Sequence, residues 1–198
     1  LPATEAEASV ASALHANPDL AALLAGWADI ALPDAWLVAG CVAQSVWNAR
    51  FALPPGHGIA DIDLVYHDAT DLSAATEAAH EARLRASFPA LTARLDVKNQ
   101  ARVHCWYGAK FGRAIAPHAN TPAAIATYPA TATCIGVRPG PAGLDIIAPF
   151  GLADLLAGIV RANAALASEA VFQAKSARWH AAWPGLVVLP WRERLGGA

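Results

Sequence analysis

Along the chain the spacing of apolar positions changes period several times, and each change predicts an element. Over residues 3–30, alanine-rich segments carry Leu20, Leu23 and Leu24 at helical spacing, and the Asn17-Pro18 step divides them into two helices. Pro33-Asp34 ends that region. AWLVAG, residues 35–40, is a short apolar run closing on glycine, as a buried strand does. CVAQSVWNARF, 41–51, returns to helical spacing with Val42, Val46 and Trp47 facing inward. PPGHG, 54–58, is a loop by composition. A second strand falls at 60–66, and Asp71 or Ser73 caps a helix that runs to about Ser87, before Pro89. ARLDVKNQARVHCWY, 93–107, predicts a long third strand. On one of its faces lie Asp96, Lys98, Gln100, Arg102 and His104. On the other lie Val97, Ala101, Val103 and Cys105, with Asn99 the one polar member.

Strand, helix, strand, helix, strand in that order predicts an α/β (α+β) fold: a small mixed sheet with helices packed on it. Beyond residue 107 the pattern predicts a long loop and a short helix over 121–129, with Pro122 tolerated in its first turn. TATCIGVRPGPAGLDIIAP then reads as a hairpin around a Pro/Gly turn, followed by helices near 151–161 and 168–182. There is no internal repeat and no composition break. The expectation is a single domain over 1–198, with a core at about 31–107 and a C-terminal hairpin and helices over 108–198.

Composition narrows the function classes. Charged residues make up 15% of the chain against 56% hydrophobic, which excludes a disordered chain. The net charge of −2 comes with no block of Lys or Arg, so nucleic acid is not the expected partner. Cys41, Cys105 and Cys134 are scattered and odd in number, which fits a reducing, cytoplasmic setting rather than a disulfide framework. No apolar run reaches the roughly 18 residues of a membrane span. The acidic, polar start LPATEAEASV is not a signal peptide, and the absence of an initial Met leaves room for residues upstream.

The chemistry concentrates at DIDLVY. With 16 acids in 198 residues, chance supplies about one acid-x-acid pair, so the spacing alone is weak. Glu5 and Glu7 form another such pair and carry no function here. Asp61 and Asp63 differ in setting: strand alternation puts both carboxylates on one face while Ile62 and Leu64 take the other. Carboxylates held that close repel unless a cation lies between them, and Mg²⁺ prefers such oxygens. Asp96 begins the polar face of the next strand and completes a three-carboxylate set if the strands are neighbours. That is the arrangement that metal-assisted phosphoryl or nucleotidyl transfer uses. Upstream, Gly40 opens a strand-to-helix turn whose unpaired N–H groups suit a phosphate. Ser45 could add a hydroxyl, although a glycine there also serves any tight turn.

These segments resemble the nucleotidyltransferase superfamily that includes DNA polymerase β and the antibiotic nucleotidyltransferases. The resemblance rests on Gly40-Cys41 at the turn, Asp61-Ile62-Asp63, and Leu95-Asp96-Val97. A bacterial branch known only as nucleotidyltransferase family proteins is similar over about residues 32–185, through AGCVAQSVWN, DIDLVYHD, VKNQARVH, TATCIGVR and IAPFGLADLL. The resemblance implies a polymerase-β-like core with helical additions at both ends. It implies Asp61, Asp63 and Asp96 as catalytic residues and Mg²⁺ ligands, and Gly40-Cys41 as the nucleotide-binding turn; from this chain's own residues, Ser45, Lys98 and Arg102 are the further nucleotide contacts expected. The implied partners are a nucleoside triphosphate and an acceptor, a small molecule or a protein, whose hydroxyl receives the nucleoside monophosphate as pyrophosphate leaves. Cys41 departs from the glycine-serine turn usual in the superfamily. That motivates an alternative, a catalytically impaired nucleotide-binding or regulatory module of the same fold.

Other residues weigh less. His57, His67, His104 and Cys105 match no familiar zinc spacing. Arg138 before the Pro/Gly turn reads as a solvated hairpin arginine. Most of the seven tryptophans are expected as core anchors; Trp106, after the polar strand, is the one placed to stack on a base.

Overall fold

The computed structural model describes residues 3–191. Helices α1 (Ala3–Ala16) and α2 (Pro18–Ala25) break at Asn17, whose side-chain oxygen accepts the N–H groups of Asp19 and Leu20. A short α3 (Trp27–Ile30), which the spacing did not predict, leads to β1 (Trp36–Val38). Then come α4 (Ala39–Arg50), β2 (Asp61–Tyr66), α5 (Ala74–Ser87) and β3 (Arg94–Asn99). After β3 the chain runs through α6 (Val103–Phe111), α7 (Thr121–Ile125), and the hairpin β4 (Gly136–Gly140) and β5 (Gly143–Ile147). Helix α8 (Ala153–Ala157), β6 (Ile159–Val160), α9 (Glu169–Ala182) and β7 (Val187–Val188) complete it.

The fold is mixed α/β. Five strands form one sheet in the order β3-β2-β1-β4-β5, with β2 and β3 parallel and the other pairs antiparallel. The C-terminal hairpin therefore adds to the same sheet as the three strands before it. Strands β6 and β7 make a separate two-stranded pair.

The long third strand is corrected. β3 stops at Asn99, and residues 100–111 are helical. Asn99 is the cause. Its buried side-chain oxygen accepts the N–H groups of Asp68 and Ala101 at 3.0 Å each, and its amide donates to the carbonyls of Asp68 and Asp71. This caps a helical turn where alternation alone would have continued the strand. The residues after Asn99 consequently leave the sheet face that Asp96 and Lys98 occupy.

The core lies between the sheet and the outer helices. It joins Leu14, Leu20 and Leu23 to Leu37, Ile62, Leu64 and Val97, and to Phe172 of α9. Trp47 is its hinge, meeting Trp179 and Trp183 edge-on at centroid distances of 5.8 and 5.6 Å. Trp183 Nε1 donates to Asn48 Oδ1 at 2.7 Å, which fastens the end of α9 to α4. At the entrance to β3, the Asp19 carboxylate accepts from Thr92 N, Thr92 Oγ1 and Ala93 N at 2.8–3.1 Å. That fixes where β3 starts, and with it the register of the carboxylates that follow.

Candidate active site

The turn from β1 to α4 forms one corner of the site. Val38 is extended, and Ala39 has φ +56°, the left-handed region that a residue with a Cβ adopts only under strain. The Ala39 N–H is held by the Ile135 carbonyl at 3.0 Å. Helix α4 has no side-chain cap at Val38, and its first turn lies at the positive end of the helix dipole. Gly40 lies against the carboxylates: a Cβ there would stand 3.2 Å from Gln44 Nε2 and 3.9 Å from Asp63 Oδ2.

Strand β2 supplies the next corner. In the parallel ladder Asp61 stands opposite Arg94 and Asp63 opposite Asp96. Asp61 is half-exposed, with Arg94 Nη2 at 3.6 Å. Asp96 Oδ1 is bonded to Lys98 Nζ at 2.6 Å, and Lys98 also reaches Glu81 of α5 at 3.4 Å. Asp63 has no ion pair or side-chain hydrogen bond among the described residues. Burial above all, then the charges of Asp61 and Asp96, push its carboxyl up to about 7, against the pull of Lys175 and Lys98.

The expected nucleotide contacts divide. Gly40 and Lys98 line the same cavity as Asp61 and Asp63. Cys41, Ser45 and Arg102 are not brought there. Cys41 is fully buried and its Sγ donates to the Val38 carbonyl; burial and the neighbouring Asp63 raise its thiol pKa. The Ser45 hydroxyl donates to the Cys41 carbonyl at 2.8 Å, inside the helix. Arg102 falls past the end of β3, where Nη1 pairs with Glu77 at 2.8 Å and Nε donates to the Leu72 carbonyl. Among the described residues the four zinc candidates form no metal-binding cluster, although Cys105 Sγ lies 3.5 Å from His104 Nε2. The ring nitrogens of His57, His67 and His104 lie within hydrogen-bond distance of the carbonyls of Ala182, His118 and Ala101.

The cavity measures about 520 Å³. Its other wall comes from residues that sequence spacing did not single out. Gln44 is 7% exposed and its Oε1 has no hydrogen-bond partner among the described residues. Helix α9 contributes Lys175 and Arg178, and α6 contributes Trp106 and Phe111, with Lys110 over both rings at 5.4 Å. Lys175 and Arg178 sit three apart on a helix, a spacing found on most solvated helices, so nothing local marks them. Of these further lining residues, only Trp106 was legible in the sequence.

A strand-turn-helix corner beside an aspartate pair on the next strand, in a five-stranded mixed sheet, defines a polymerase-β-like nucleotidyltransferase. The chain belongs to the nucleotidyltransferase family, whose model matches residues 25–188. It is also similar to a protein whose solved NMR structure is described as revealing a CCA-adding enzyme head domain. The two share 27% identity over 92% of this chain and 95% of that one, with a TM-score of 0.74. No curated protein matches it. The protein is thus an enzyme that transfers nucleoside monophosphates. No helix among the described residues is long and apolar enough to cross a membrane.

Nucleotidyltransferases generally use divalent metals, and the donor set here can be tested for one. Asp61 and Asp63 fit a hard cation: two carboxylates on one strand face, one of them unpaired and repelled by its neighbours. Asp96, neutralised through Oδ1 by Lys98, fits less well as a direct ligand. Among the described residues no three His, Cys, Asp or Glu side chains stand close enough to enclose a metal ion. Phosphate and water oxygens would complete the shell around the two aspartates.

Proposed function

We propose that this enzyme transfers a nucleoside monophosphate from a magnesium-bound nucleoside triphosphate to an acceptor hydroxyl and releases pyrophosphate. The reading rests chiefly on Asp61 and the unpaired Asp63 opening into the cavity beside the Gly40 turn. The acceptor oxygen forms a bond to the α-phosphorus, the bond from that phosphorus to the bridging oxygen breaks, and the hydroxyl proton leaves the acceptor. Magnesium, when held by Asp61 and Asp63, supplies charge neutralisation at the phosphates. The chain's own groups do the rest. The N–H groups of the first turn of α4 beyond Ala39 seat the phosphates, and Gly40 leaves room for their approach. Asp63 and Asp61 would hold the cation that the phosphates meet. Asp96 Oδ2, the oxygen not bonded to Lys98, takes the acceptor proton.

The acceptor is a small molecule or a protein in this reading. The neighbour's description as CCA-adding keeps nucleic acid among the acceptors to be screened. The test is pyrophosphate release with Mg²⁺ across nucleotides and acceptors, comparing wild type with Asp61→Asn/Asp63→Asn. The double variant should lose at least about a thousandfold in turnover, roughly 4 kcal/mol of transition-state stabilisation. Unchanged turnover would sink the assignment. Tight nucleotide binding with no release under any acceptor would favour the non-catalytic module instead.

A further inference from the structure

The cavity that holds the carboxylates is also lined by cations that the proposed reaction does not use. Val171, Lys175 and Arg178 all line the cavity. Their spacing of four and three residues puts them on one face of α9. The adjoining face of the same helix is buried through Phe172, Ser176 and Trp179. Helix α9 is therefore anchored by its apolar side and offers two positive charges to the cavity.

The two cations expected to serve the phosphates are already neutralised. Lys98 is bonded to Asp96 at 2.6 Å and Arg102 to Glu77 at 2.8 Å. Among the described residues neither Lys175 nor Arg178 has a carboxylate within ion-pair distance. Burial first, and then Arg178, lower the pKa of Lys175, while Asp63 and Asp61 act in the opposite sense. Two like charges side by side, one of them half-buried, are unfavourable until an anion joins them. Asp61 and Asp63, which line the same cavity, are beyond ion-pair distance of both cations.

We propose that Lys175 and Arg178 hold the β- and γ-phosphates of the nucleotide and the pyrophosphate that departs. The proposal rests on the nucleotidyl-transfer reading above. A guanidinium fork takes two phosphate oxygens and an ammonium acts as a point charge beside it, so the pair suits a polyphosphate better than a single carboxylate. When the bond from the α-phosphorus to its bridging oxygen breaks, negative charge grows on the leaving pyrophosphate. Cations at that end therefore interact more strongly with the transition state than with the bound substrate. Lys98 and Arg102 keep their structural partners throughout.

The experiment needs no knowledge of the acceptor. Tryptophan fluorescence titrations of wild type, Lys175→Gln, Lys175→Arg and Lys175→Gln/Arg178→Gln would be run with Mg²⁺ and the mono-, di- and triphosphate of one nucleoside, and with pyrophosphate. Wild type should bind more tightly as phosphates are added. The double variant should lose at least tenfold for triphosphate and pyrophosphate and stay within twofold for the monophosphate. Lys175→Arg should recover most of the loss in Lys175→Gln, which also serves as the milder variant if the double one unfolds. Unchanged triphosphate affinity in folded variants overturns the proposal and leaves the reaction standing. An equal loss for all ligands also overturns it, since it would mark a structural role. Wild type that binds no nucleotide would overturn the reaction itself, and this proposal with it.

Discussion

Asp63 and Asp96 stand directly opposite each other across the parallel β2–β3 ladder, and Lys98 holds only the second of them, at 2.6 Å. One strand thus presents an unpaired carboxylate and its neighbour a neutralised one. Lys98→Gln would release Asp96 and place a second unpaired carboxylate beside Asp63. Half-maximal activation should then need less Mg²⁺, measured by titrating the metal at saturating nucleotide. An unchanged requirement would mean that Asp96 takes no part in the metal site.

Gly40 lies where the phosphate turn meets Asp63. A Cβ would sit 3.2 Å from Gln44 Nε2, the end of a flexible side chain that can give by a few tenths of an ångström. Gly40→Ala should therefore change stability by less than about 1 kcal/mol, the added helix propensity offsetting the contact. Nucleotide affinity should fall about tenfold, because the methyl fills the approach to the N–H groups. Calorimetric unfolding and nucleotide titration on the same variant separate the two effects.

Asn99 uses all of its hydrogen-bonding capacity in one buried place, with Asp68, Asp71 and Ala101 as partners. Asn99→Ala strands two carbonyls and two N–H groups, and should cost about 3 kcal/mol in urea unfolding. Asn99→Asp should do no better, since a carboxylate would face the carbonyls of Asp68 and Asp71. A cost below about 1 kcal/mol for both would show that the helical turn after β3 forms without this cap.

Asp34 gives a pH signature away from the site. Burial alone would raise its pKa, but hydrogen bonds from Trp36 and Thr121 and the charge of Arg138 outweigh it and hold the carboxyl below its ordinary 3.8. A carboxyl lowered by folding stabilises the native state above its unfolded pKa, and the benefit disappears as pH falls through the folded value. Asp34→Asn should therefore cost about 1 kcal/mol at neutral pH, and the gap in Tm to wild type should close below about pH 4. A gap that stays constant to pH 3 would show that the charge on Asp34 contributes nothing.

Much of the site was readable because it is local. The period-two alternation at Asp61-Ile62-Asp63 and the run from Leu37 through Gly40 into a helix each depend on a few consecutive residues, and both elements formed within a residue or two of expectation. The expected strand through Tyr107 failed for an equally definite reason. Alternation describes both a strand and the first residues of this segment, and it carries no information about where Asn99 would find partners, some 30 residues earlier in the chain. With β3 cut short, Arg102 turned toward Glu77 and away from the cavity.

By itself, then, the sequence determined strands β1 and β2, the turn and the aspartate pair, because alternation and helical spacing are properties of neighbouring residues. Tertiary structure alone decided which charges are free. Lys98 and Arg102 were consumed by carboxylates that folding brought beside them. Lys175 and Arg178, more than a hundred residues beyond Asp61, reached the cavity because Phe172 and Trp179 bury the neighbouring face of α9 in the core. Electrostatic pairing depends on distance in space, and along the chain no spacing encodes it.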